Sequence, residues 1–477
     1  MYVLKSRVFA LSSVILFVSV FGFSCKTTPP EKQIPEQEFE SEAVENTVTF
    51  AEKLSILLNA GQIDAALALF DELSQQEAEK PENQIMKASI LISADRLDKA
   101  REIANALIAE DNTNMDARFL LSNIEAAYGK QKEQKNILEG IIKENPVYVP
   151  ALNALGEITT KGNYFKIPAS YYDRALAAAP SNRDALCGRA NIYRLEHKFE
   201  ESENLLNKAV TLYPSDPVPL SERGRLYREN GKYKEALADL ETAENLSPQN
   251  YWIVYDRGRI YLDMNKRKEA LAEFVKAEKI NPNNFIAYVY SAGLRDEMGD
   301  VDGAENDYMQ LIKLRPGYYF AFEGLGIQKM KKKQWQEAYD AFKMAYNSAQ
   351  EETNYAILTA INALRSGQKP NEIRQFVEKA MQKIDRSKVE YYVLRLFYDF
   401  SSDSDVVRRV DKEKNQRIKA QMLFYLASYY DIKGNNILAD KFYIEFRDSK
   451  RMDLIEWRIN EWIMQDRNIF AGKTSNE

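Results

Sequence analysis

Residues 217–250 read PVPLSERGRLYRENGKYKEALADLETAENLSPQN. Apolar and small residues recur at three- and four-residue spacing on both sides of Asn230-Gly231, a pattern that predicts two short antiparallel helices joined by a tight turn. The stretch is one of many. From Thr47 the same 34-residue frame can be laid down nine times without insertion or deletion, starting at residues 47, 81, 115, 149, 183, 217, 251, 285 and 319. The eighth position of the frame is nearly always small (Ala88, Ser122, Gly156, Ala190, Gly224, Gly258, Ala292, Gly326), as close approach of two helices requires. The twentieth is mostly alanine, with departures at Gln134, Pro168 and Ser202. The twenty-fourth carries a large side chain (Phe70, Leu138, Tyr172, Leu206, Leu240, Phe274, Tyr308, Phe342), with Ala104 as the exception. Pro146, Pro180, Pro214, Pro248, Pro282 and Pro316 recur at the same period and end each second helix, because the proline ring excludes the preceding residue from helical geometry.

In order and spacing, Gly224, Tyr227, Gly231, Ala236, Leu240, Ala243 and Pro248 resemble the signature of the tetratricopeptide repeat. The resemblance implies an all-α fold, a solenoid in which antiparallel helix pairs coil into a right-handed superhelix. It also implies that the first helix of each pair, helix A, lines a concave groove. One helix pair cannot bury its apolar face alone, whereas stacked pairs share an elongated core. The resemblance is strong over 47–352 and weaker over 353–477. There Ala360 and Gly367 fit a tenth repeat interrupted at Lys369-Pro370. Residues 386–400 predict an aromatic-rich helix, and Ala427, Tyr430, Gly434, Ala439 and Tyr443 fit a further repeat near 420–446. RMDLIEWRINEWIMQ (451–465) predicts a helix that caps the C-terminal end.

Composition narrows the function. The chain has 477 residues, 45% apolar and 29% charged, enough to bury a core. With 65 basic against 71 acidic residues there is no basic field to hold nucleic acid. One histidine and two cysteines leave little for a zinc site, a Cys-His or Ser-His pair, or a disulfide framework. No glycine-rich phosphate or dinucleotide motif occurs. The expectation is a protein that is not an enzyme and that uses neither cofactor nor metal.

The N-terminus predicts export. Residues 1–25, MYVLKSRVFALSSVILFVSVFGFSC, place Lys5 and Arg7 before an apolar run that ends at small Ser24 and Cys25. The arrangement resembles a bacterial lipoprotein signal in which Cys25 is acylated. Gly22 stands where the usual lipobox has leucine, as in the relaxed lipoboxes of spirochaete lipoproteins. An uncleaved anchor, rather short for a bilayer, and a buried cytosolic helix are the alternatives. Residues 26–46 carry three prolines and six glutamates and read as a disordered acidic tether. Lys26 after the cysteine favours the outer membrane, with the periplasmic side and the cell surface both open.

Candidate binding residues follow from the resemblance, which assigns the groove to positions 2, 5, 9, 12 and 13 of helix A. In the central frames these include Asn153, Asn191, Arg194, Arg225, Arg228, Trp252, Tyr255 and Arg259. Asn191, Arg225 and Arg259, at position 9 of three successive repeats, are expected to stack as a ladder. Guanidinium and amide groups suit the carbonyls and carboxylates of an extended peptide, and the two aromatics supply an anchor. The competing reading is a solvated face whose arginines pair with Glu229, Glu222 and Asp256. Cys187 and Ser221 at position 5 depart from the clamp of chaperone-tail-binding repeats. Cys187 reads as a small filler and His197 as an exposed turn residue. The basic run Arg408, Arg409, Lys412, Lys414, Arg417 and Lys419 reads either as a lipid or acidic-partner contact or as a solvated segment. Trp457 and Trp462 mark either a membrane surface or the end of the stack. The partners expected are other proteins or peptides and, through the acyl anchor, a membrane. Nucleic acid is not expected. A surface-exposed adhesin that binds host ligands is the alternative function.

Overall fold

A computed structural model describes residues 49–469 apart from 161, 163 and 400–402. The expected signal with Cys25 and the acidic tether lie outside the described residues. Among those described there are 26 α-helices and no strand, so the fold is all-α. No helix among them is long and apolar enough to cross a membrane. The chain divides into two compact units between Lys232 and Tyr233, at the turn inside the sixth frame.

The first unit opens with α1 (Phe50–Asn59), α2 (Ile63–Ala68) and α3 (Gln75–Ala78). Four helix pairs lead to its end: α4 (Pro81–Ser93) with α5 (Leu97–Glu110), α6 (Met115–Ala127) with α7 (Gln131–Glu144), α8 (Val149–Thr159) with α9 (Lys166–Ala178), and α10 (Arg183–Leu195) with α11 (Phe199–Leu212). Helix α12 (Pro217–Glu229) closes it. The second unit begins with α13 (Tyr233–Leu246) and continues with α14 (Tyr251–Asp263), α15 (Arg267–Ile280), α16 (Phe285–Glu297), α17 (Val301–Leu314), α18 (Tyr319–Lys331) and α19 (Trp335–Ser348). Next come α20 (Thr353–Arg365), α21 (Pro370–Met381), α22 (Val389–Asp399), α23 (Asp403–Lys412), α24 (Gln416–Ile432), α25 (Asn436–Asp448) and α26 (Ile455–Asp466).

From residue 81 every helix A begins on the first position of its frame. The six periodic prolines each stand two residues beyond the end of a helix B. The register runs on unbroken to Thr353, which makes α20 and α21 a tenth repeat. Pro370 is the first residue of α21, where its missing N–H costs no helical bond, so the interruption read at Lys369-Pro370 is only a one-residue delay in the helix start. The first frame departs. Its second helix stops at Ala68 and tightens into a 3-10 turn over Leu69–Glu72, after which Leu73 is extended. Ser74 then caps a new short helix through the Glu77 amide, 3.3 Å away, and so competes with continuation of α2.

The fifteenth frame position adopts the left-handed conformation in nearly every repeat: Gly61, Asp95, Gly129, His197, Gly231, Asn265, Gly299, Lys333 and Gly367 all have positive φ. A left-handed residue lets the chain turn back while the next amide reaches the last turn of helix A, as Lys232 N–H does to the Tyr227 carbonyl at 2.8 Å. His197, with φ 59, is therefore the turn residue that its position predicts.

In the repeats that start at 149, 251 and 319 the small eighth position meets the large twenty-fourth. A Cβ on Gly156 would stand 2.6 Å from the Tyr172 ring, and one on Gly258 would stand 2.9 Å from Phe274. The departures at position 20 are accommodated. Buried Ser202 donates to the Ala190 carbonyl at 2.8 Å, and Pro168 lies in the first turn of α9, where proline is tolerated. Successive repeats interlock as well. Position 6 of helix A packs on the twenty-fourth residue of the repeat before it, and where that residue is a tyrosine the sizes complement. Tyr172 is followed by Gly188 and Tyr308 by Gly324, whereas the small Ala104 shares its cluster with Leu120.

Candidate functional site

In the first unit the residues expected on the helix A faces are half-buried and engaged with their neighbours. Asn191 accepts a hydrogen bond from Arg194 Nη2 at 2.5 Å, and Arg194 forms an ion pair with Glu229. Arg225 pairs with Glu222 one turn earlier. Asn153 donates from Nδ2 to Asn182 Oδ1 at 2.9 Å. That oxygen in turn caps α10 by accepting from the Ala185 amide, also at 2.9 Å. Asn153 thus braces the start of the next repeat. Position 5 of one helix A lies beside the N-cap of the following one, a relation invisible in the composition of the face. Arg228 is half-buried on the same helix as Arg225. Cys187 is buried among Leu186, Ala190, Leu206 and Leu226, and burial pushes its thiol well up, which suits a filler.

In the second unit Trp252, Tyr255 and Arg259 come together on α14. The Trp252 ring lies 4.7 Å from Tyr251 and 5.7 Å edge-on from Tyr255, and the Arg259 guanidinium stands 5.8 Å from the Tyr255 ring. Beneath them Phe274 is fully buried, 5.9 Å from Tyr255 and stacked at 4.7 Å on Tyr290. The result is an aromatic platform with a cation at one edge, half open to solvent. Such groups give binding energy at low entropic cost, since rings fixed by packing have no rotamers left to lose.

A second surface was not anticipated. The last helix, α26, packs against helix A of earlier repeats in this unit. Arg458 reaches Asp296 on α16 at 2.5 Å, Lys333 just beyond α18 reaches Asp466 at 2.9 Å, and Lys331 Nζ stands 4.6 Å from the Trp462 ring centre. Asp296 and Lys331 hold positions 12 and 13 of their frames, on the face that the resemblance assigns to the groove. On its other side α26 meets α24 and α25. Buried Glu456 accepts from Gln421 Nε2 at 2.8 Å and from the Tyr425 hydroxyl, and Asn460 Nδ2 donates to the Tyr443 carbonyl at 3.3 Å. Burial raises the Glu456 carboxyl. Glu323 on α18 is raised by burial and further by the Glu456 charge, although Tyr355 donates to it at 2.5 Å. The sequence signal for this contact was a glutamate inside an apolar helix. Only the fold supplies its partners.

Part of the basic run is engaged locally. Arg409 pairs with Asp405 at 2.8 Å and lies over Tyr392, Arg417 pairs with Asp453, and Lys419 donates to the Asp411 carbonyl at 2.8 Å. Among the described residues no three His, Cys, Asp or Glu side chains gather as they would to hold a metal ion.

One carboxylate sets a pH dependence. Glu278 on α15 is buried against Ser291, which donates to it. Burial pushes its carboxyl up to about 7, with Asp307 adding and Arg295 opposing. A folded value above the unfolded one means that the charged form is disfavoured in the fold, so stability is full in acid and falls as pH rises towards about 7. Glu278→Gln, neutral throughout, is expected to be more stable than the wild type by about 2 kcal/mol at about pH 8, after allowance for solvent screening, and equal to it near pH 4. Urea unfolding of both proteins at the two pH values checks this.

Two models of the tetratricopeptide repeat match the sequence, one over residues 57–124 and 227–292, the other over 169–217. No curated protein matches it. Among solved structures, the chain is similar to YrrB, described as a tetratricopeptide-repeat protein with an unusual peptide-binding site. The identity is 21%, over 39% of this chain and 95% of that one, with a TM-score of 0.33. It is also similar to a tetratricopeptide repeat protein from Parabacteroides merdae, at 20% identity over 51% of this chain and 96% of that one, with a TM-score of 0.39. A third is pilF of Pseudomonas aeruginosa, at 20% identity over 43% and 94%, with a TM-score of 0.37. With the frame in register from residue 81 to the tenth helix pair and the family models matching three stretches of it, the chain is an all-α protein built of tetratricopeptide repeats.

Proposed function

We propose that the chain is a lipid-anchored scaffold of the bacterial cell envelope, which binds other proteins or peptides through the faces of its A helices. The observation that carries the binding is the platform of Trp252, Tyr255 and Arg259, propped on buried Phe274 and half open to solvent. A face meant only to be wetted has no need of two rings packed edge to face above a buried third. The anchor rests on residues 1–25, with Cys25 acylated and the acidic stretch 26–46 holding the repeats off the membrane.

The test places a photoreactive phenylalanine analogue at Trp252, on α14, or at Met309, which is 44% exposed on a helix B of the same unit, and irradiates living cells. A covalent adduct with another protein from position 252 and none from 309 is expected. Equal yields from both would remove the A-helix reading. Protease added to intact and to permeabilised cells locates the body. Protection until permeabilisation fits a periplasmic scaffold, and cleavage on intact cells favours the outward-facing adhesin.

A further inference from the structure

The seat of α26 on α24 and α25 is poorly satisfied. Glu456 and Asn460 are both fully buried, yet Glu456 Oε2 and Asn460 Oδ1 find no hydrogen-bond partner among the described residues. Each such orphan weakens the docking of the helix, since a buried acceptor without a donor forfeits the hydrogen bonds that water gave it. The outer edge of the helix stays open, with the side chains of Arg458, Lys333 and Asp466 38%, 64% and 57% exposed. The six residues 449–454 that tie α26 to α25 contain left-handed Lys450 and exposed Met452, a connection that can swing without unravelling α25. Asp296 already accepts from Gln328 Nε2 at 2.9 Å and from the Tyr308 hydroxyl at 3.0 Å, so it remains paired when Arg458 leaves.

We propose that α26 is a detachable internal ligand. It covers a docking surface, formed by Asp296 and Lys331 on α16 and α18, for an amphipathic helix of a partner protein that carries an arginine and, four residues on, an aromatic ring. The pattern is that of Arg458, with Trp462 one turn further. Apolar Ile459 and Met464, both buried, supply the stripe that any replacement has to match. The partner's gain is the release of the two orphaned acceptors of α26 to water. The proposal rests on reading the A-helix faces as the binding side, and it adds a gate: the surface opens only to a helix that competes with the chain's own.

The test uses the full chain. In the wild type, hydrogen exchange is expected to be about tenfold or more faster over residues 455–466 than over 416–432, its neighbour in the same core. The double variant Arg458→Ala, Trp462→Ala leaves α16 and α18 intact. It is expected to bind a fluorescein-labelled peptide of residues 451–469 about tenfold or more tighter than the wild type does, because the competing helix is loosened. The same peptide carrying Arg458→Ala should lose that gain. Exchange over 455–466 as slow as over 416–432, or equal peptide affinity for wild type and double variant, overturns the proposal. So does a double variant that sediments as a dimer dissolved by the peptide, which would assign the surface to a second copy. If the double variant loses helix content, the exchange comparison in the wild type decides alone. Neither measurement touches residues 191–259, so a failure here is distinct from a failure of the platform on α14.

Discussion

Gly188→Ala is expected to lower the stability of the first unit by about 3 kcal/mol, the upper end of what overpacking a core costs. The Tyr172 ring is gripped between two glycines, Gly156 of its own repeat and Gly188 of the next. A Cβ on Gly188 would fall within 3.0 Å of the ring, closer than real Cβ atoms approach. The ring cannot retreat, because on the far side the bare Cα of Gly156 already sets its position and the residue is buried. Shrinking the plug should relieve the clash. Gly188→Ala with Tyr172→Leu is expected to be more stable than Gly188→Ala alone by about 1–2 kcal/mol, a coupling that a double-mutant cycle reads directly. Gly293 on α16 is the control, since nothing lies within 4 Å of a Cβ there. Gly293→Ala should stabilise by about 0.5–1 kcal/mol through helix propensity. Hydrogen exchange over residues 166–195 for the first pair of variants, and over 285–297 for the control, reports each effect in its own place.

Much of this interlock is written in the chain. Position 8 is small and position 24 large because helix A and helix B of one repeat cross there, and the prolines fix the period, so the frame could be read from Ala88, Phe274 or Pro248 without coordinates. Gly188 and Gly324 carry a subtler message. They are the glycines at position 6, and each follows a tyrosine at position 24 of the preceding repeat, so these two tyrosine plugs come with their glycine sockets in the sequence. What the sequence conceals depends on contacts between distant stretches. Arg458 and Asp296 look like two ordinary surface charges until the fold brings α26 onto α16. The break at Leu73 is hidden for a different reason: Ser74 is an acceptable residue inside a helix and a better one at a helix start, and only the competition between the two decides. The faces themselves were half legible. Trp252, Tyr255 and Arg259 do gather, whereas Asn153 is spent on bracing Asn182 and Arg194 on pairing with Glu229.

The largest functional effect is expected at that gathered cluster. Aromatic and arginine side chains at the centre of an interface commonly contribute about 2 kcal/mol or more each and do not add fully when they are neighbours, so removing three of them together should weaken partner capture at least about a hundredfold. The platform is suited to such a test because its support lies elsewhere. Phe274, Gly258 and Tyr290 hold α14 in place, and none of them is altered when the exposed rings are cut back. The expected result can therefore be separated from unfolding. The most direct measurement compares the wild type with Trp252→Ala, Tyr255→Ala, Arg259→Ala as immobilised bait for envelope extracts, with helix content of both read by circular dichroism. Proteins retained by the wild type and crosslinked from position 252 should vanish from the triple variant at unchanged helix content. Their undiminished retention by the variant would contradict the account.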